Sequence, residues 1–458
     1  MHYDLVVVGS GSGLDVANWA AEAGWTTAIV EEGRLGGTCL NRGCIPSKLL
    51  IHSADVAETI RRAHLFGIIP KGYEVDFAAI VRRVTGSVDG DSDGIERALA
   101  TLDNPRLYKG RGRFVGPRRL EVAGEVLTAD RFLLAHGARP RIPDIDGLNE
   151  VPYLTSTEAL RLDRQPRSLA ILGGGFIACE LGHFFSALGT EVTILQRRPH
   201  LLPEEDGEVS RAFTDVMRRR GWRLLTGHDT TRVRHGGDGF VLDARSRGDG
   251  TTTEVRADAL LVATGVVPNS DRLDVAKAGV QTDPEGYVLV DEHLKTSAEG
   301  VWALGDAVGR YLLKHNANHE ASYAFYNMQN PGDNIPVDYH AMPHAVFASP
   351  QVAAVGATEE ELRARDVPYL VGRWRFRETA MGHALEDEDG FVKLLVAPGS
   401  GKILGCHILG PEASTLLHEV VVAMKVGDGS IENVTRAVHI HPALSEVVQR
   451  AAASVGEG

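Results

Sequence analysis

Cysteine is scarce in this sequence, and so is lysine. Four cysteines in 458 residues are too few for the disulfide framework of a small secreted protein. Long apolar runs are missing: none approaches the ~18 residues that a membrane-spanning helix needs. The start, MHYDLVVVG, has no basic segment followed by an apolar one, so no secretion signal is expected. Positive charge is in deficit, with 48 Lys and Arg against 61 Asp and Glu and a net charge of −13. Nucleic acid phosphates require clustered cations, which excludes that class of partner. Only nine basic residues are lysine against 39 arginine, a bias that fits a GC-rich genome or adaptation to high salt. What remains is an ordinary globular composition, 43 % hydrophobic and 24 % charged. At about 150 residues per domain, the length suggests roughly three domains of a cytoplasmic enzyme.

The apolar run Tyr3 to Val8 ends in Gly9-Ser10-Gly11-Ser12-Gly13, and a helical pattern follows from Leu14 to Ala23. A second apolar run, Thr26 to Val30, ends in Glu31-Glu32. Strand, glycine turn, helix, strand and acid make the βαβ unit that binds a dinucleotide. The glycines let backbone N–H groups approach a pyrophosphate at the helix N-terminus. Glu31, 22 residues after Gly9, stands where a carboxylate accepts from a ribose. Leu14 occupies the third glycine position, which normally serves close helix–strand packing.

The unit recurs. Ser168 to Leu172 leads into Gly173-Gly174-Gly175-Phe176-Ile177-Ala178, a helix through Leu188 and a strand from Glu191 to Leu195. Two such folds imply two nucleotide cofactors. At the end of the second, Gln196 replaces the acid that would take a 2′-hydroxyl, and Arg197 and Arg198 follow. Arginine there suits a 2′-phosphate, so NADPH is expected rather than NADH, although two solvated surface arginines would look the same.

Leu133 to Gly137 and Leu261 to Gly265 read as crossover strands leaving each nucleotide fold, and Gly248 to Thr253 as a hairpin loop. Gly300 to Asp306 is a buried-type strand with which the first domain resumes. Beyond about Asp338 five segments alternate as antiparallel strands, beginning at His344, Gln351, Tyr369, Phe391 and Ile403. Helical patterns from Ser414 to Val426 and Ser430 to Val438 complete an α+β domain. The expected fold class is α/β: two Rossmann-like dinucleotide-binding domains, one inserted in the other, plus this C-terminal domain.

Cys39 and Cys44 stand five positions apart, just after the first ribose-binding acid. The spacing puts both thiols at the start of one helix, where they can form a small-loop disulfide and where the helix terminus favours a thiolate. A metal site would need more ligands, and no second cysteine pair exists. Two inert buried thiols are the other alternative. Cys179 and Cys406 lie in apolar segments and read as core packing.

The stretch GGTCLNRGCIPSK, Gly36 to Lys48, resembles the redox-active motif of the class I flavoprotein disulfide reductases. These pyridine nucleotide-disulfide oxidoreductases include glutathione reductase, dihydrolipoamide dehydrogenase, mercuric reductase and mycothione reductase. The resemblance spans the chain. It implies an FAD domain in two parts, 1–145 and 267–337, an NADPH domain at 146–266 and a dimerisation domain at 338–458. His439 to Glu446 looks like the family's HxHPTxxE, with Ala443 in place of Thr.

What the resemblance implies is a mechanism. NADPH reduces FAD, and the flavin opens the Cys39–Cys44 disulfide. Cys44 becomes the thiolate beside the flavin, and Cys39 attacks the substrate. His441 from the partner subunit of a homodimer protonates the leaving thiol, held by Glu446. Lys48 and Glu180 match the ion pair near the flavin, and Phe176 the ring over the nicotinamide pocket. Cofactor contacts are expected at Gly9, Gly11, Gly13, Glu31, Gly37 and Thr38. Others are expected at Gly137 and Asp306, and, for NADPH, at Gly173, Gly175, Arg197, Arg198 and Gly265.

No C-terminal cysteine pair or N-terminal Cys-x-x-Cys module is present, so a mercuric-ion or large-protein substrate is not expected. Gln196 departs from the dihydrolipoamide dehydrogenases. Tyr311 to Glu320 resembles mycothione reductase, while the Lys-poor acidic composition and Met342 to Phe347 favour the similar bis-γ-glutamylcystine reductases. The expected reaction is therefore NADPH-dependent reduction of a small thiol disulfide, with bis-γ-glutamylcystine first, mycothione second and lipoamide third. A non-catalytic flavoprotein subunit or redox sensor is the alternative from another class. Arg42, Lys314 and His315 are candidates to meet a charged substrate. His315 and His319, at i and i+4, read as helix surface rather than a metal pair.

Overall fold

The computed structural model describes residues 1–237 and 239–456. It forms two compact units. The first comprises Met1–Leu49, Ala79–Arg141 and Gly265–Asp338, and the second Leu50–Ala78, Ile142–Thr264 and Tyr339–Gly458.

The first unit is built on a seven-stranded sheet. Its parallel part runs Arg106–Lys109, Thr27–Glu31, His2–Val8, Glu125–Leu134, in that order. One side of the long strand Glu125–Leu134 meets His2–Val8. The other side pairs antiparallel with Arg119–Val122 near its start and parallel with Val301–Ala303 near its end. The two central parallel strands, His2–Val8 and Thr27–Glu31, are near-continuous apolar runs, as strands buried on both faces are. Leu5, Val7, Ile29 and Leu133 are fully buried, and Phe114 and Phe132 meet edge to face at 5.4 Å. Each such side chain contributes about 1.5–3 kcal/mol by leaving water.

The missing third glycine now has an explanation. In the helix Gly13–Glu22, a Cβ on Gly13 would lie 2.8 Å from Val7 Cγ1 and 2.9 Å from Ala135 Cβ. Gly13 thus provides the close helix–strand approach, and Leu14 is free to be large.

The second unit holds three sheets. Four parallel strands run Arg223–Thr226, Glu191–Gln196, Ser168–Leu172, Ala259–Val262. A three-stranded meander, His228–Gly236, Gly239–Ser246 and Thr252–Ala257, lies beyond them in sequence, with the expected hairpin loop after Ser246. The third sheet has five antiparallel strands: Pro343–Val346, Gln351–Gly356, Ile403–Gly410, Phe391–Val396 and Leu370–Arg375, in that order. These are the five expected segments. The expected helix from Ser430 to Val438 is only Glu432–Thr435, and the terminal helix Glu446–Ala453 was not foreseen.

Two groups of contacts shape this unit. Leu50–Ala78, expected within the first domain, packs here: Asp55 Oδ1 lies 2.8 Å from His183 Nε2, and Arg61 donates to the Ala187 carbonyl at 2.6 Å. The nucleotide-type sheet and the five-stranded sheet are joined by a buried ammonium. Lys393 Nζ, without solvent exposure, donates to both Asp206 carboxylate oxygens at 2.9 Å and to Glu359 Oε2 at 2.7 Å. Asp206 also caps the helix Gly207–Arg219 through the N–H of Glu208.

Candidate active site

In the first unit the dithiol does not sit on one helix, contrary to the sequence expectation. A short helix, Gly37–Arg42, carries Cys39, and Gly43 breaks it before the helix Cys44–Arg62 begins. Gly43 has φ −142° and ψ −118°, a conformation that cannot continue a helix. Asn41 anchors the short helix: its Nδ2 donates to the carbonyls of Leu35 at 2.8 Å and Gly37 at 3.0 Å. Gly37 presses the motif against the first glycine loop, since a Cβ there would stand 2.7 Å from Gly11 Cα. The dithiol therefore lies beside the first nucleotide-type loop, as its place in the sequence predicts.

The break changes which sulfur carries the charge. Both cysteines are free thiols, with Cys39 half-buried and Cys44 exposed. A hydrogen bond from the Cys44 thiol pulls Cys39 down to about 7, helped by the Lys314 ammonium and by the N–H groups of Cys44 and Ile45. Those amides open the helix Cys44–Arg62, so its terminus favours the thiolate of the preceding segment. Cys44, as the donor to Cys39, is pushed well up, with Lys48 opposing the shift. The opposite shifts favour the anion on Cys39 over Cys44. Lys314 opens the helix Lys314–Gln329, and its Nζ donates to Ser12 Oγ at 2.9 Å. Alkylation of Cys39 by iodoacetamide in the reduced protein will accordingly inflect near pH 7. In Lys314→Met the inflection will move to higher pH. An unshifted profile would remove Lys314 from the electrostatics of the thiol.

The same unit offers a cradle that fits FAD. The first turn of Gly13–Glu22 receives no side-chain cap from Ser12, and nothing would stand within 4 Å of a Cβ on Gly11. Free amides and open space suit a pyrophosphate. Glu31 is positioned by three donors: Ser10 N at 3.0 Å, Ser10 Oγ at 2.8 Å and Gly33 N at 2.7 Å. Burial, with Glu320 close by, raises the Asp306 carboxyl to about 6. Glu320 itself accepts from the N–H of Gly305 at 2.6 Å. Gly137 follows the strand Glu125–Leu134 and accepts from Asn269 N at 3.1 Å, and Gly265 accepts from Arg141 N at 2.9 Å. Of the two histidines, His315 is exposed, and His319 bonds the Asp338 carbonyl at 2.8 Å and lies against Tyr323.

In the second unit the helix Phe176–Ala187 likewise starts without a side-chain cap, and the space in front of Gly175 is open. This fits a second dinucleotide. Gln196 is buried against the glycine loop: its Nε2 would lie 2.8 Å from a Cβ on Gly174. Arg197 and Arg198 are both exposed, and Arg198 pairs with Glu204 at 3.2 Å. Phe176 is exposed at the head of its helix, while Glu180, one turn on, is buried and accepts from Phe347 N at 3.0 Å.

Toward the C-terminus, His441 Nδ1 lies 2.9 Å from Glu446 Oε1, and Glu446 Oε2 accepts from Ala443 N at 3.2 Å. Hydrogen bonding to His441 holds the Glu446 carboxyl below the usual range. The imidazole is 74 % exposed, which leaves Nε2 open to solvent. His439 is different: its ring is buried between Glu419 and the Ala437 carbonyl, a structural placement.

Residues 3–321 match the pyridine nucleotide-disulphide oxidoreductase family. The chain belongs to that family. Residues 342–452 match the dimerisation domain of the pyridine nucleotide-disulphide oxidoreductases. Among curated relatives, mycothione reductase of Mycobacterium tuberculosis is 39 % identical over 460 residues, covering 98 % of each chain. Dihydrolipoyl dehydrogenase of Chlamydia muridarum is 34 % identical over 451 residues, covering 97 % of this chain and 95 % of the other. The Cu(II) complex of the HOCl-induced flavoprotein disulfide reductase RclA from Escherichia coli superposes with a TM-score of 0.88, at 25 % identity and 99 % coverage of both chains. As a member of the family, the oxidoreductase uses FAD and NAD(P)H and acts on disulfides.

Asn41, Ser10 and Glu320 were not singled out from the sequence of this oxidoreductase. Asn41 carried a signal, as a polar residue two positions after Cys39 in a glycine-bounded turn. The i, i+4 pair Asn316 and Glu320, whose side chains bond at 3.0 Å, was readable on the helix that follows Gly305-Asp306. Both pairings need the third dimension to be distinguished from solvated surface.

Proposed function

We propose that this oxidoreductase is an NADPH-dependent reductase of a small thiol disulfide, with bis-γ-glutamylcystine as substrate, working as a cytosolic homodimer. The observation that carries the reading is the Cys39–Cys44 dithiol held against the first glycine loop, where Gly37 meets Gly11, with surroundings that favour the anion on Cys39. NADPH and FAD, when bound, supply the two electrons that reduce the Cys39–Cys44 disulfide. The Cys39 thiolate attacks one substrate sulfur, forms a mixed disulfide and expels the first thiolate, which His441 of the partner subunit protonates. Cys44 loses its proton and attacks Cys39 Sγ, which restores the internal disulfide and expels the second thiolate. Two electrons and two protons enter per substrate disulfide cleaved.

Val438 is fully exposed and Ile440 is 77 % exposed, on either side of His439 and directly before His441. Large apolar side chains left in water beside a catalytic histidine support a second copy covering this segment. NADPH is favoured because Gln196 puts a neutral amide where the ribose acid would stand, while Arg197 and Arg198 are exposed. Mycothione is the second reading, on the 39 % identity to mycothione reductase.

Initial rates of NADPH oxidation will be highest with bis-γ-glutamylcystine, compared in parallel with mycothione, glutathione disulfide and lipoamide, and NADH will be the poorer donor. Preference for lipoamide with NADH would move the protein to the dihydrolipoamide dehydrogenases.

A further inference from the structure

From Gly33 to Ala54 the chain contains no Asp or Glu, although the whole carries 61 such residues and a net charge of −13. The stretch holds the dithiol and three cations, Arg34, Arg42 and Lys48. Their commitments differ. Arg34 pairs with Asp93 at 2.6 Å and faces Asp89 at 3.5 Å. Lys48 acts on Cys44 and has a further partner. Lys314, from a distant part of the sequence, is spent on Ser12 and Cys39. Arg42 alone among the cations of this stretch is exposed and has no hydrogen-bond or carboxylate partner among the described residues.

Its place gives that free charge a use. Arg42 closes the short helix Gly37–Arg42, three residues after Cys39. Positions i and i+3 of a helix share a face, with Cβ atoms about 5–6 Å apart. The Arg42 side chain therefore leaves the helix from the face that carries Cys39. It presents a planar fork of donors that matches a carboxylate. An acidic protein repels an anionic substrate at long range, and a local cation beside the nucleophile reverses that field at the point of docking. A neutral substrate would gain nothing from the arrangement.

We infer that Arg42 anchors a carboxylate of the substrate, so that the disulfide reduced at Cys39 is an anionic one. This deepens the proposed function and rests on its assignment of Cys39 as the attacking thiol. It separates the two readings of the substrate by charge. Bis-γ-glutamylcystine carries carboxylates and a net negative charge at neutral pH, whereas mycothione carries no carboxylate.

The test measures kcat and KM for bis-γ-glutamylcystine, glutathione disulfide and uncharged 2-hydroxyethyl disulfide, at low and high NaCl. The flavin-loaded enzyme is compared with Arg42→Ala, Arg42→Lys and Arg42→Glu. For the two acidic disulfides, Arg42→Ala is expected to raise KM about tenfold, with kcat changed less than twofold. Arg42→Glu will raise KM further, and Arg42→Lys will recover part of the loss, since the charge stays and the fork is lost. The change for 2-hydroxyethyl disulfide will be at least fivefold smaller. Added salt will raise KM for the acidic substrates in the parent enzyme and have little effect in Arg42→Ala. Equal KM changes for acidic and uncharged disulfides, or none for the acidic ones, would overturn the role of Arg42. An enzyme that reduces glutathione disulfide through Arg42 but ignores bis-γ-glutamylcystine would keep this inference and refute the proposed substrate. Turnover restricted to uncharged disulfides would overturn both.

Discussion

Cys39→Ser will abolish disulfide reduction, lowering kcat/KM by a factor on the order of 10³ or more. Oxidation of NADPH with ferricyanide as acceptor will continue. The first loss follows from chemistry: a hydroxyl with a pKa far above that of a thiol cannot supply the attacking anion at neutral pH. The local structure makes the loss complete. The donors that stabilise the anion, the Cys44 thiol and the amides of Cys44 and Ile45, converge on Cys39. Cys44 cannot take over, because without Cys39 no second thiol remains to resolve a mixed disulfide. Ferricyanide needs no dithiol, so its reduction reports whether the variant is folded and loaded with flavin. Loss of both activities would point to a failed fold. Retention of both would show that Cys39 is not the nucleophile.

His441→Gln should lower kcat for disulfide substrates about 10²- to 10³-fold while KM changes little, a typical contribution for a positioned proton donor. Glutamine keeps the size and one hydrogen bond to Glu446 but carries no titrating proton. Glu446 is fixed by the Ala443 amide and binds His441 through Nδ1, which leaves Nε2 as the working nitrogen. Glu446→Gln should fall in the same direction by less, since the imidazole stays and only its orientation and basicity suffer. Stopped-flow turnover across pH 6 to 9 separates the cases: the limb assigned to His441 disappears in His441→Gln and shifts in Glu446→Gln. An unchanged kcat in His441→Gln would place the proton source elsewhere.

Much of this was readable in the chain because it is written locally. Glycine loops at Gly9 and Gly173, the dithiol at Cys39 and Cys44, and the His441-to-Glu446 spacing each lie within one short stretch. Backbone approach and helix termini need only neighbours in sequence. The five antiparallel strands were legible from their apolar alternation for the same reason. The rest depended on distant partners. Nothing in GGTCLNRGCIPSK says that Gly43 divides the motif into two helices, or that the second helix lends its amides to the first thiol. Leu14 looked like a defect in a fingerprint until Val7 and Ala135 came against Gly13. Gln196 was readable as a missing acid, but its contact with Gly174 was not. Lys393, inside the apolar strand Phe391–Val396, resembled an outward-facing residue. It is fully buried because Asp206, 187 positions away, reaches it.

The Lys393 cluster also bears on how this enzyme could be rebuilt. Nucleotide-binding domains of this type invite recombination, in which one with a different coenzyme preference is transplanted as a module. Here the junction is written half in each partner: Asp206 and Glu208 come from the segment 142–264, and Lys393 and Glu359 from the segment 339–458. A graft that moved only the first would strand the buried Asp206 carboxylate, or leave the Lys393 ammonium with Glu359 alone, a fault of several kcal/mol. The smallest exchangeable cassette is therefore the two segments together.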